Sequence, residues 1–149
     1  MNPKQAEPTQ QTEESLRIHN LYRVIYMMLS CLWLLFMYQL SSQPTGVLSF
    51  RFIDLFSYQS AYLFIYGVLS ALVFLSLHQY GRKWIVEYTV VLGFVCFIAI
   101  LDEWNQFHAG FHRGAFTDVL FDLAGAMAAL LILFMVKFRK KGLLKKWKI

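Results

Sequence analysis

The sequence predicts an all-α membrane protein with four transmembrane helices in a compact antiparallel bundle. Three observations support this class: 58% of the 149 residues are hydrophobic, only 15% are charged, and the apolar residues fall into four long runs. A soluble domain of this size keeps about a quarter of its residues charged to cover its surface. Glycine, proline and cysteine are also scarce. The composition therefore excludes soluble, collagen-like and disulfide-rich proteins.

The four apolar runs have lengths suited to a membrane, because a hydrocarbon core of ~30 Å requires about 20 residues of α-helix. The predicted spans cover about 22–40, 58–77, 84–101 and 118–136. Such runs are too long for ordinary strands and too apolar on all sides for surface helices. Glu87 falls about one turn inside the third run, where we expect its carboxylate to reach water at the interface.

The distribution of lysine and arginine predicts the orientation of these spans. Twelve of the fourteen basic residues precede span one, connect spans two and three, or follow span four. The opposite side receives only Arg51 and Arg113. The excess of positive charge predicts that both termini are cytoplasmic.

Composition also predicts three segments along the chain. Residues 1–17 are polar and rich in Gln and Glu, which predicts a disordered tail. Residues 18–137 form the four-helix membrane domain. Residues 138–149 form a basic cytoplasmic tail, which either contacts anionic lipid or acts only as a topology signal.

The densest polar patch, residues 102–122, lies at the predicted outer ends of spans three and four. Asp102 and Gln106 are four residues apart and share a helix face, while Glu103 projects about 100° away. Acids next to hydrocarbon are costly unless they are paired or face a wet cavity. The candidate ligand-binding residues on this side are Ser42, Gln43, Asp102, Glu103, Gln106, Arg113, Asp118 and Asp122.

Span four carries a stripe formed by Asp118, Asp122, Gly125 and Ala129, which recur at helical spacing. The small residues Gly125 and Ala129 allow another backbone to approach closely. The stripe therefore predicts that the two acids point between helices. The same small residues suit either packing within the chain or a homodimer through helix four.

Arg113 is the single cation of the connection between spans three and four. Its guanidinium either locks the connection to nearby carboxylates or holds an anionic ligand. If the crowded acids carry chemistry instead, Glu103 or Asp122 would be the general acid or base.

No motif predicts a cofactor, and none indicates nucleic-acid binding. The P-loop, GxSxG, CxxC and dinucleotide-binding patterns are absent. His108 and His112 have the spacing of a helical metal pair, but Gly110 lies between them and no HExxH is present. The sequence therefore predicts neither a cofactor nor a metal.

The polar residues resemble a known family. The pattern comprises Asp102-Glu103-x-x-Gln106, Arg113, Asp118, Asp122 and Gly125, with Ser41-Ser42-Gln43-Pro44 after span one. It resembles the VanZ-like membrane proteins over about residues 21–136. One departure is the stretch Phe56-Ser57-Tyr58-Gln59, where many VanZ-like proteins carry a Lys and a His.

This resemblance implies a multi-pass protein of the bacterial plasma membrane. The founding member of the family is associated with low-level resistance to the lipoglycopeptide teicoplanin. Two hypotheses follow for this chain. In the first, the outer site binds an anionic lipid, a lipid-linked wall precursor or a lipoglycopeptide through Arg113. In the second, the chain is a membrane hydrolase or transferase that acts on such a headgroup.

Overall fold

The chain folds into four α-helices in a computed structural model that describes the backbone of residues 7–42, 58–78, 83–109 and 116–146. Side chains are described for residues 13–42, 60–78, 83–108 and 117–137. The helices are α1 (Glu7–Ser41), α2 (Tyr58–Leu77), α3 (Trp84–Ala109) and α4 (Phe116–Lys146). These described ranges contain no strand. All four helices are long and apolar enough to cross a membrane, which confirms the predicted all-α class and the four candidate spans.

Three helices extend beyond the predicted spans, and α3 continues past the predicted end at residue 101 to Ala109. α1 begins at Glu7, so the predicted disorder of residues 1–17 is wrong from that residue onward. Extending an existing helix is much easier than nucleating one, Gln and Glu are good helix formers, and Pro8 is tolerated in a first turn. α4 continues through the basic segment to Lys146, where positive charge is favourable at the helix C-terminus.

α2 is the central helix of the fold, because it forms the two most extensive helix contacts, with α4 and with α1, and also packs against α3. Tyr66 and Leu69 of α2, Val91 and Val95 of α3 and Ala126 of α4 are completely buried. Most other large apolar side chains, especially on α1, are exposed. Such an outer surface suits lipid rather than water.

Hydrogen bonds between helices show how neighbouring segments are paired. Arg23 Nε of α1 donates to the Ser76 carbonyl of α2 at 3.1 Å, and Trp33 Nε1 donates to the Ile65 carbonyl at 3.1 Å. The two helices therefore run in opposite directions, since Arg23 faces Ser76 and the later residue Trp33 faces the earlier residue Ile65. We use "Asp102 end" for the part of the structure where α1 and α3 finish, and "Arg23 end" for the opposite part.

The small residues of α4 pack against α2 within the chain. A Cβ on Gly125 would overlap the Leu63 backbone carbonyl, and a Cβ on Gly67 would lie 3.3 Å from the Gly125 carbonyl and 3.7 Å from the Ala129 Cβ. The predicted stripe therefore supports a close α2–α4 contact. The homodimer through helix four stays a prediction, and it would require another face of α4.

Candidate functional site

Polar side chains from three helices meet at the Asp102 end. On α3, Gln106 Nε2 donates a hydrogen bond to Asp102 Oδ2 at 3.1 Å, as expected for residues one turn apart on the same face. From α2, the Tyr66 hydroxyl donates to the same oxygen at 3.4 Å. Tyr66 is 0% exposed and Gln106 is 6% exposed. The Asp102 carboxylate is therefore held between helices by two buried donors.

Ser41, the last residue of α1, adds a third helix to this group. Its side chain is only 5% exposed, and its hydroxyl lies near the Asp102 carboxylate. The geometry falls short of a hydrogen bond, and the hydroxyl has no hydrogen-bond partner among the described residues. A buried hydroxyl without a partner costs about 1–3 kcal/mol. This atom is therefore poised to bond a group that enters the site.

Further acids surround Asp102. Asp122 of α4 is 5% exposed and lies close enough to Asp102, Asp118 and Glu103 for their charges to interact. Glu103 and Asp118 are half-buried. The inward orientation that the sequence predicted for Asp122 agrees with its burial. The Asp102 end is thus rich in hydrogen-bond acceptors.

Three predicted site residues lie elsewhere or outside the described residues. Ser42 is exposed, and its hydroxyl donates to the Tyr38 carbonyl at 2.8 Å, so it turns back onto its own helix. Gln43 and Arg113 lie outside the described residues.

Sequence reasoning missed two members of the site. Tyr66 belongs to no motif in the sequence, and its only local signal is its place one turn after Tyr62, on whose ring it stacks at 6.4 Å. Ser41 belongs to the motif after span one, but its neighbour Ser42 was chosen instead. One residue along a helix rotates the side chain by about 100°, and only the position of α3 decides which serine points inward.

The described residues contain no group of three or more His, Cys, Asp or Glu side chains that could hold a metal. His108 is exposed, and its Nδ1 donates to the Trp104 carbonyl at 2.9 Å. His112 lies outside the described residues.

A second polar pair lies at the Arg23 end and corrects the placement of Glu87. The predicted interfacial carboxylate is instead 1% exposed, and its Oε2 lies 2.8 Å from His78 Nδ1. Glu87 shares a buried face of α3 with Val91, Val95 and Ala99, which recur every four residues. A buried carboxylate needs a partner, and His78 at the end of α2 provides one.

The arrangement at the Asp102 end favours recognition of a polar group over a purely apolar contact. Carboxylate oxygens accept hydrogen bonds from hydroxyl and amide groups, while the Ser41 hydroxyl can donate or accept. None of the protein-family models, curated proteins or solved structures compared with the chain matches it, so the VanZ-like resemblance stays a prediction from the motif.

Proposed function

We propose that this chain is a multi-pass protein of the bacterial plasma membrane that binds a hydroxyl-rich anionic headgroup at its outer end. In this proposal the four helices form a compact antiparallel bundle with both termini in the cytoplasm. The uneven distribution of Lys and Arg supports that orientation. In this proposed orientation the Asp102 end would face the outside of the cell, where lipid-linked wall precursors and lipoglycopeptides are encountered.

The observation that carries the proposal is the convergence of Ser41, Tyr66 and Asp102 between helices whose outer surfaces are apolar. Polar and ionisable groups inside a membrane domain are costly and mark binding sites or pathways. Here the Asp102 carboxylate contacts two donors, and the buried Ser41 hydroxyl has no partner among the described residues.

The chemistry of the site suits a headgroup with two kinds of polar atom. Sugar hydroxyls and amides would donate hydrogen bonds to the carboxylates of Asp102 and Asp122, because acidic side chains dominate the site. The phosphate of the same headgroup would bind Arg113, the single cation in the connection between α3 and α4. A lipid-linked wall precursor combines both features, and an anionic lipid such as phosphatidylglycerol combines them in a smaller group.

Binding to the full chain in phosphatidylcholine nanodiscs tests the proposal. The probes are a polyprenyl diphosphate that carries N-acetylglucosamine and, separately, dihexanoyl phosphatidylglycerol. Arg113→Gln and Asp102→Asn should each weaken binding at least tenfold. Arg51→Gln is the matched control, because it removes the other predicted outer cation. Unchanged binding by both variants, together with lowered thermal stability, would show that Arg113 only locks the connection.

The acids favour one alternative, a membrane hydrolase or transferase. Asp122 is shielded from solvent and surrounded by three other carboxylates, a setting that suits a general acid or base. In an enzyme, Asp122→Asn or Glu103→Gln would abolish release of the labelled headgroup while binding changes less than threefold. A pure binding protein would release no product with any variant.

The resemblance adds a test in cells. Expression of the chain in a susceptible bacterium should raise the inhibitory concentration of teicoplanin at least twofold, and Arg113→Gln should remove the increase. Equal sensitivity with and without the chain would remove the lipoglycopeptide from the ligand class and leave the lipid ligands.

A further inference from the structure

A pocket lies at the Arg23 end, at the opposite end of the structure from Asp102. It has a volume of about 270 Å³, near the lower limit of small-molecule pockets. Its lining residues are His19, Tyr22, Arg23, Tyr26, Leu75 and His78. We propose that this Arg23 pocket binds the phosphate group of a membrane lipid headgroup.

Arg23 is held in place by one hydrogen bond and keeps most of its donors. Its Nε donates to the carbonyl of Ser76, which is one of the last four carbonyls of α2 and has no partner within that helix. A guanidinium has five N–H donors, and the four on the terminal nitrogens of Arg23 have no hydrogen-bond partner among the described residues. The hydrogen bond to the end of α2 uses one donor of Arg23. The paired N–H groups on its terminal nitrogens have the geometry that binds two oxygens of a phosphate.

His19, one turn before Arg23, supplies a polar atom without a partner. Its Nε2 is shielded from solvent and has no hydrogen-bond partner among the described residues. A shielded ring nitrogen carries an energetic cost until it bonds a suitable group. When Nε2 carries the proton and the ring turns toward the pocket, a phosphate oxygen is a suitable acceptor.

Glu87 lies behind the lining of the Arg23 pocket. His78 lines the pocket and contacts Glu87 through Nδ1 at 2.8 Å, so the imidazole lies between the pocket and the carboxylate. The Glu87 side chain is completely buried and is absent from the lining. Arg23 is thus the one lining residue that always carries a charge.

The position of the pocket favours a lipid over a soluble phosphate. Tyr22 and Tyr26 lie near the start of the apolar part of α1, where tyrosine rings are typical of the headgroup region. The pocket lining also includes the apolar side chain of Leu75. A phosphate attached to acyl chains would place its charge on Arg23 and its chains along the exposed apolar surface.

The test measures binding of dihexanoyl phosphatidylglycerol in a neutral detergent to the full chain in an Arg113→Gln background, which removes the outer site proposed above for the same lipid. Arg23→Gln removes the charge but keeps an amide donor for the Ser76 carbonyl, and it should raise the Kd at least tenfold. His19→Gln should raise it at least threefold. Arg17→Gln is the matched control, because Arg17 is an exposed cation on the same helix, and its Kd should change less than twofold.

Competition separates the two sources of phosphate. Displacement of the lipid by millimolar sodium phosphate would identify a phosphate site that is open to solution, whereas lipid binding without such displacement would identify a headgroup site. Absence of saturable binding, or equal weakening by Arg17→Gln and Arg23→Gln, would overturn the proposal. If Arg23→Gln does not fold, His19→Gln decides the question, and an unchanged Kd in that variant overturns the proposal.

Discussion

The His78 imidazole and the Glu87 carboxylate form a contact of 2.8 Å across the α2–α3 connection, with the carboxylate completely buried. Glu87→Ala removes the buried carboxylate and its contact, while the partly exposed His78 ring keeps access to water. The variant should therefore lower the free energy of unfolding by about 1–3 kcal/mol, the cost of a lost buried hydrogen bond, measured by denaturation in detergent. Glu87→Gln keeps the shape and a hydrogen-bonding group, so it should cost less. Equal stability of Glu87→Ala and the exposed-site control Thr89→Ala would contradict this role.

Substitution by alanine should change the stability of the protein in opposite directions at Gly125 and Gly93. Gly125→Ala introduces a methyl group that overlaps the Leu63 carbonyl and forces α4 away from α2. Overpacking of this kind costs about 1–3 kcal/mol or more. Gly93 is exposed on α3, and a Cβ there meets nothing within 4 Å, so Gly93→Ala should be neutral or stabilise by up to about 1 kcal/mol. Thermal unfolding of the two variants side by side checks the contrast.

The hydroxyl of Tyr66 should affect ligand affinity more than stability. Tyr66→Phe keeps the buried ring but removes the donor to Asp102 Oδ2. We expect a loss of about threefold to tenfold in binding of the polyprenyl probe, because the hydroxyl orients the Asp102 carboxylate. A hydrogen bond to a charged group contributes about 1.5–3 kcal/mol, of which ligand binding senses a part. The exposed Tyr38 provides the control substitution to Phe. An unchanged affinity in Tyr66→Phe would remove this hydroxyl from the proposed site.

The proposed orientation predicts which side of the membrane each helix end faces. In a background with Cys31→Ser and Cys96→Ser, a cysteine in place of Ser42 should react with an impermeant thiol reagent added to intact cells. A cysteine in place of Lys83 should react only after the membrane is opened. Both positions are exposed, so accessibility reports the side of the membrane. The reverse pattern would place the Asp102 end in the cytoplasm and overturn the proposed ligand class.

The sequence was sufficient to predict the four helices and the shared face of Asp102 and Gln106, because apolar length and helical spacing are local properties. Residues i and i+4 share a face in any α-helix, so Asp102 and Gln106 were expected to lie together. A hydrogen bond joins their side chains in the structure. The placement of Glu87 failed because its burial depends on His78, a residue of another helix. The partner of Gly125 was equally unpredictable, since helices that are apolar on all sides give no direction for packing.

The central position of α2 has a consequence for how the protein assembles during synthesis. The surface of α2 around Gly67 is completed by Gly125 of the last helix, while its other contacts are with α1 and α3. The helices of a membrane protein leave the ribosome in the order of the sequence. A nascent chain that contains only α1, α2 and α3 therefore exposes the α2 surface around Gly67 to lipid. Chain termination before α4 would thus yield an intermediate that protein quality control can distinguish from the finished protein.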